Sequence, residues 1–290
     1  MLGTLVMTYL FLGGFGAGLL CTAALWSLAF HRRRNRSREQ TEAFERLKAA
    51  CYVAGFVVLC LAALCLLLDL GRPDLFYLLF TRPTLSVLSF GSYTLLVSLL
   101  VGGFLAVTSA ARVPAVRARA RKAAEVVCVA ASLCMMGYTG VFVACVEAVA
   151  LWNNAAVPAL FLLSSLSAGL SATFIVASFG RAGSLLGGWL AALHRAHLAV
   201  LCLEAVALAA FLALAFANPV AHESLRLLLD PEGFGGWLVV GVAALGLAAP
   251  LVVEAFMAVT RRALWLLPVD VLCIAGGLIL RFCVVWSGMH

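Results

Sequence analysis

The stretch LVMTYLFLGGFGAGLLCTAALWSLAF, residues 5–30, carries no charged side chain, and HRRRNR, residues 31–36, follows it at once. A helix rises 1.5 Å per residue and the hydrocarbon core of a bilayer is ~30 Å thick, so about 20 apolar residues suffice to cross it. With no water to satisfy backbone groups, only helices or closed barrels can span. Barrel strands alternate apolar and polar residues, and this run does not. It predicts a membrane helix whose basic flank stays on the cytoplasmic side. A cleaved signal peptide would be basic before its apolar run, so a retained first span is expected.

Seven further runs share this character, at 49–70, 86–110, 123–150, 157–179, 196–217, 235–259 and 264–287. Eight spans of ~22 residues take up about 176 positions of the chain, which leaves short loops and no soluble domain. The composition agrees. The 290 residues are 64% hydrophobic and 11% charged, against roughly 25% charged in an average soluble domain, and the mean hydropathy is +1.10. Disordered chains, nucleic-acid-binding modules and ordinary cytosolic enzymes are excluded. The expected fold is an all-α integral membrane domain over 1–290 with eight transmembrane helices, divided into four-helix halves at 1–150 and 151–290.

The formal charge of +7 is a topology signal, because sixteen of the twenty Lys and Arg residues fall in the odd-numbered loops or at their helix ends. Cytoplasmic loops carry such an excess, so both termini are expected outside. Tryptophans at span ends, Trp26, Trp189 and Trp265 on one side and Trp152, Trp237 and Trp286 on the other, read as interfacial belts.

The ten cysteines include no C-x-x-C pair and so none of the spacings of an iron–sulfur site; they read as small apolar packing residues. The five histidines offer no pair at matching depth on two helices, so no haem is expected. His194 and His197 are too few ligands for a structural metal site and read as an interfacial pair at a helix start. Ionisable residues inside a membrane mark function by default. Asp69, Arg72, Glu147 and Arg281 are placed near the outer face; Glu204, Glu254 and Asp270 are placed nearer the inner one. Hydrogen bonding between helices would account for each as well. Asp69 and Arg72, at i and i+3, read equally as a local ion pair. Glu204 sits about two turns inside its span without a basic neighbour, where desolvation suits a proton carrier. Gly13, Gly14, Gly16 and Gly18 allow close helix approach, or close approach of a flat ring. Tyr9 and Tyr138 are the polar aromatics best placed to hydrogen-bond such a ring.

Several strings taken in order carry a resemblance. Leu68-Asp69-Leu70-Gly71-Arg72-Pro73 leads to Phe76-Tyr77-Leu78-Leu79 and Thr81-Arg82-Pro83. Tyr138-Thr139-Gly140 leads through Trp152-Asn153 to Pro158-Ala159-Leu160-Phe161-Leu162 and Ser167-Ala168-Gly169. Tyr9 to Gly14 lie near the start of the sequence, and Leu280-Arg281-Phe282 with Gly288 near its end. Over its whole length the sequence resembles the NrfD/PsrC-like polysulfide-reductase membrane-subunit family. That resemblance implies a haem-free quinol-interacting anchor in a bacterial or archaeal cytoplasmic membrane. It implies menaquinone or ubiquinone bound near the extracytoplasmic face, no iron–sulfur cluster in this polypeptide, and an outer iron–sulfur subunit and molybdopterin catalytic subunit as partners. Terminal catalysis is then expected on another subunit. Tyr138, with Tyr9, Gly13, Asp69 and Arg72, is expected to bind the quinone; Tyr9 stands where some members have histidine. Glu147, Glu204, Glu254 and Asp270 are expected to transfer protons. A dimethyl-sulfoxide-reductase-type anchor, or a secondary transporter with Pro250 breaking a helix beside Glu254, are the alternatives.

Overall fold

The structure, a computed structural model, describes residues 3–32, 37–69, 86–111, 118–146, 148–179, 185–230, 233–260 and 267–288. Eight of its helices are long and apolar enough to cross a membrane: α1 (Thr4–Arg32), α2 (Arg38–Asp69), α3 (Val87–Ala110), α4 (Ala118–Ala144), α5 (Ala156–Ser178), α6 (Gly187–Ala217), α8 (Trp237–Thr260) and α9 (Leu267–Trp286). A short helix, α7 (His222–Leu229), lies between α6 and α8. No strand occurs among the described residues. This is an all-α, multi-pass membrane protein. The helices alternate in direction, so one end of the bundle, here termed the basic end, gathers Arg32, Arg38 and Lys122; the other is the far end.

Helices α1 and α5 form the spine. α1 packs on α2, α4 and α5 and touches α9, while α5 packs on α1, α4, α6 and α9. Glycine makes the α1–α5 approach possible. A Cβ on Gly18 would strike the Ser165 carbonyl, and one on Gly169 would strike the Gly18 backbone. The other α1 glycines face other neighbours. Gly16 faces Leu59 of α2, Gly14 faces Ser165 and Arg281, and Gly13 faces Met135 of α4. Small residues at such crossings gain van der Waals contact in the absence of a hydrophobic drive between helices.

Several elements differ from the sequence expectation, three of them in ways that shape the site. Helix α2 begins at Arg38, so most of the predicted basic loop is helical. Arg38 pairs with Glu42 at 3.3 Å and Lys48 with Glu45 at 2.8 Å. Phe44 stacks on Phe30 at 3.9 Å and meets Trp26 edge-on at 5.2 Å. Helix α4 stops at Ala144, and residues 148–154 form turns ahead of α5. There the Asn154 amide donates to the Phe211 carbonyl at 3.0 Å and its oxygen accepts from the Ala156 N–H at 3.0 Å, tying the start of α5 to α6. Helix α7 has no counterpart among the apolar runs; it buries Leu225 and Leu228 on one face.

The tryptophan belts hold only in part. Trp237 is exposed, but Trp26 and Trp152 are buried. Trp152 donates its indole N–H to the Val284 carbonyl at 2.8 Å, so it joins α9 to the preceding turn instead of facing lipid headgroups. Trp265 lies outside the described residues.

Candidate functional site

Two clusters of polar side chains are built into the bundle. The first lies toward the far end of α1, α3 and α4. Tyr9 on α1 and Tyr138 on α4 are 1% and 2% exposed. Their hydroxyls face each other, near enough for a weak mutual hydrogen bond, and neither makes a well-formed hydrogen bond to any partner. A buried hydroxyl left unpaired costs roughly 1–3 kcal/mol, so two side by side are an arrangement that a polar ligand would relieve.

The surroundings of these phenols are apolar and close-fitting. The Tyr138 ring lies directly against Gly91 of α3, where a Cβ would overlap its ring carbons. Phe90 and Phe142 lie 6.5 and 5.9 Å from that ring, centroid to centroid. Thr94 bonds the Gly91 carbonyl at 2.9 Å and turns toward the Met135 sulfur at 3.7 Å. Met135 in turn sits where a Cβ on Gly13 would come within 2.7 Å of its methyl. The structure thus brings Tyr9, Gly13 and Tyr138 together and adds Gly91, which the sequence did not single out. Asp69 ends α2 at the far end and is exposed; its carboxylate lies 3.2 Å from where a Gly3 Cβ would stand. Arg72 and Glu147 lie outside the described residues, as does the whole string from Leu70 to Pro83.

The second cluster runs through α5, α6, α8 and α9. Arg281, placed near the outer face by its depth along the span, is 1% exposed. Its position on the sequence put it near a helix end; its orientation aims it at α5. Nη2 donates to the Ser165 hydroxyl at 2.6 Å and the Phe161 carbonyl at 3.0 Å, and Nη1 donates to the Ser164 hydroxyl at 3.3 Å and the Gly277 carbonyl at 3.0 Å. Phe161 and Phe11 present their rings at 5.0 and 5.6 Å, within cation–π range. Glu204 is the carboxylate that the charge of Arg281 reaches. Ser167 donates to Glu204 at 2.7 Å.

From Ser167 the polar contacts continue toward the basic end. Cys273 lies 4.0 Å from the Ser167 hydroxyl and 4.0 Å from His197 Nε2, and Ser171 lies 3.5 Å from the same nitrogen. On its other side His197 Nδ1 stands 3.0 Å from Glu254 Oε1, which His194 Nδ1 also approaches at 2.9 Å. Each Nδ1 proton can therefore be donated to one carboxylate oxygen, leaving His197 Nε2 as an acceptor facing Ser171 and Cys273. Asp270 is buried beside Ser171 within the field of Glu254. Here too the sequence expectation needs correction: His194 and His197 are not a simple interfacial pair, because His197 is buried and both are held by Glu254. The signal that could have pointed to this line is the spacing of Ser164, Ser167 and Ser171, which at i, i+3 and i+7 share one helix face.

The break in α8 adjoins this cluster. Residues Trp237–Ala248 wind as a π-helix, and normal α winding resumes at Ala249, whose N–H bonds the Ala244 carbonyl. Pro250, which cannot donate an N–H, stands just beyond, one turn from Glu254. Where the winding changes, Gly246 lies against Gly276 of α9 so closely that neither position admits a Cβ.

Comparisons with known proteins agree with this architecture. The protein is 25% identical to the C subunit of the polysulfide reductase of Wolinella succinogenes, an alignment that covers 98% of this polypeptide and 92% of that one. The model of the family described as polysulphide reductase, NrfD, matches residues 1–290. This eight-span membrane protein belongs to the NrfD polysulphide reductase family.

Proposed function

We propose that this protein is the membrane subunit of a reductase complex, where it exchanges electrons between the quinone pool and a partner iron–sulfur subunit. That subunit is proposed to serve a molybdopterin catalytic subunit on the extracytoplasmic side. The observation that carries the reading is the pair of buried phenols of Tyr9 and Tyr138, set side by side with no well-formed hydrogen bond to any partner. They lie beside helix faces kept bare by Gly13 and Gly91. A flat ring with two carbonyl oxygens matches that chemistry: phenolic O–H groups donate, aromatic and Met side chains pack the ring, and the tail can leave between helices into lipid.

A quinone supplies a carrier of two electrons and two protons. The protein's own residues bind, orient and move protons around it. Tyr138 and Tyr9 donate hydrogen bonds to its oxygens, and Met135 and Phe90 exclude water. With the basic end cytoplasmic, as the positive-inside bias requires, the phenols lie in the outer half of the membrane, within reach of a docked outer partner. Asp69, with Arg72 and Glu147, is proposed as the outer proton outlet. The half spanning 151–290 carries the proton line of Glu204, Glu254 and Asp270, which Ser167, Cys273 and His197 join by hydrogen-bond-range contacts.

Tyr138→Phe tests the site. The variant keeps the ring against Gly91 and removes only the hydroxyl. The expected result is an assembled complex whose quinol oxidation falls about tenfold or more, since general acid–base groups contribute 10²–10⁴-fold and one hydrogen bond ~1 kcal/mol. Oxidation of a short-chain naphthoquinol at the wild-type rate removes Tyr138 from the site. The break in α8 beside Glu254 is what a transporter reading would draw on. Co-purification separates the two, because an anchor brings iron–sulfur and molybdenum subunits with it.

A further inference from the structure

Glu125 belongs to neither cluster above. It stands on α4 two turns from the basic end, 4% exposed, in the half that holds the phenols. The Ser27 hydroxyl of α1 donates to its Oε1 at 2.6 Å and the Tyr52 hydroxyl of α2 approaches the same oxygen at 3.4 Å. The contacts continue to the surface. His31 Nδ1 lies 2.8 Å from the Ser27 carbonyl and 3.4 Å from its hydroxyl. His31 Nε2 lies 3.4 Å from Glu45, which Lys48 grips at 2.8 Å. The side chains of His31 and Glu45 are 45% and 31% exposed and that of Lys48 is 0% exposed. A buried carboxyl is therefore tied to the water at the basic end by a short series of proton-bearing groups.

The opposite direction is also polar. Glu125, Cys128 and Ser132 fall at i, i+3 and i+7, one buried stripe of α4. Ser132 and Ser98, on α4 and its neighbour α3, are both 0% exposed, and their hydroxyls have no hydrogen-bond partner. By helix rise, Ser132 is about 10 Å from Glu125 and about 9 Å from Tyr138. Ser98 stands at nearly the same height, about 10 Å from Gly91. Buried polar groups of this kind are where internal waters make their hydrogen bonds. The two hydroxyls thus sit midway between Glu125 and the phenols.

We propose that Glu125 is the proton-exchange residue that connects the quinone site to the cytoplasmic face. Ser27, His31 and Glu45 form the surface side of the link, and Ser132 and Ser98 form its inner side. The inference rests on the quinone reading. Reduction of a quinone consumes two electrons and two protons and yields the quinol, and oxidation reverses both. The electrons come from the outer partner. If the protons come through Glu125, each passing as carboxylate to carboxyl and back, they cross most of the membrane and turnover is electrogenic. Exchange through Asp69 would be electroneutral. Tyr52 and Cys128 stand beside the carboxyl, and Arg121 lies one turn below it. A carboxyl that served only to clamp α1, α2 and α4 would be replaced without loss by an amide of the same shape.

The test uses the complex purified with its partners and reconstituted in lipid vesicles. Reduced methyl viologen feeds the outer subunits, a short-chain naphthoquinone accepts the electrons, and a voltage-sensitive dye reports potential. Wild type is expected to build an uncoupler-sensitive potential. Glu125→Gln is expected to lower turnover and potential at least tenfold, and Glu125→Asp to restore most of both. Binding of a quinone-analogue inhibitor is expected to be unchanged in all three. Glu125→Gln with wild-type turnover and potential overturns the inference. Wild type that binds the analogue but builds no potential also overturns it and leaves the quinone site standing. Wild type that binds no quinone analogue removes the quinone reading and this inference together. Should Glu125→Gln fail to assemble, Ser27→Ala breaks the surface side of the link. A severalfold fall in turnover is then expected, and no change overturns the inference.

Discussion

Gly91→Ala probes the phenol site without touching a polar group. The added Cβ would overlap the Tyr138 ring at its hydroxyl-bearing end, whereas carbon atoms pack best at ≈ 3.5–4.0 Å. The ring must retreat by about an ångström or more, or α3 and α4 must separate. Overpacking of this kind costs ~1–3 kcal/mol, partly offset by the ~0.5–1 kcal/mol that alanine gains over glycine in a helix, so the complex should still assemble. The Tyr138 hydroxyl, however, is displaced, and misplacement by 1 Å can cost about 10²-fold in rate. The expected outcome is normal yield and cofactor content of the purified complex with quinol oxidation reduced 10–100-fold, measured with a short-chain naphthoquinol. Gly187→Ala is the control, since a Cβ there meets nothing within 4 Å. The double variant Gly91→Ala/Tyr138→Phe should be little worse than either single one, because both remove the same placed hydroxyl. A Gly91→Ala complex that oxidises quinol like wild type would refute the placement of the ring.

Two other substitutions test packing and the buried charge. Gly169→Ala puts a methyl into the Gly18 backbone and should lower the melting temperature of the detergent-solubilised protein by several degrees, with Gly18→Ala behaving alike. Equal melting curves would show that α1 and α5 do not meet at these glycines. Arg281→Ala removes the guanidinium that donates to the Ser164 and Ser165 hydroxyls and to the Phe161 and Gly277 carbonyls. Hydrogen bonds made by a charged group contribute about 1.5–3 kcal/mol each, so a marked loss of stability is expected, visible as poor accumulation. Arg281→Lys should recover little, since one ammonium cannot fork to Ser164 and Ser165 as a guanidinium does.

The spans were legible because the bilayer imposes one dominant rule: a long apolar run with basic flanks has few other readings. Boundaries were less so wherever local contacts extended a helix past its apolar run. The segment from Arg38 to Lys48 is charged, yet it is helical, because Phe44 and Leu47 are buried on one of its faces while Arg38, Glu42 and Glu45 pair along the others. Hydropathy averages over faces and so reports this segment as loop. Trp26 was misplaced for the same reason: its depth was right, but its side chain turns inward onto Phe44.

The polar residues show where sequence depth stops being enough. Tyr9 and Tyr138 could be placed at one height from their distances to helix ends, and the fold sets them side by side. Arg281 and Glu204 could not be joined that way, because depth along a helix says nothing of azimuth, and both turn toward α5. Glu125 was missed for the complementary reason: it lies among Arg119, Arg121 and Lys122, so on the sequence it reads as one more surface charge. Only the packing of α1 and α2 around it, with Ser27 and Tyr52 on one of its oxygens, removes it from water. Burial of a charge is a property of three helices at once. A linear sequence can state the depth of each residue, but the partners that make a buried carboxyl tolerable come from elements about 70 to 100 residues away, as Ser27 and Tyr52 do here, and they become visible only when the helices are set against each other.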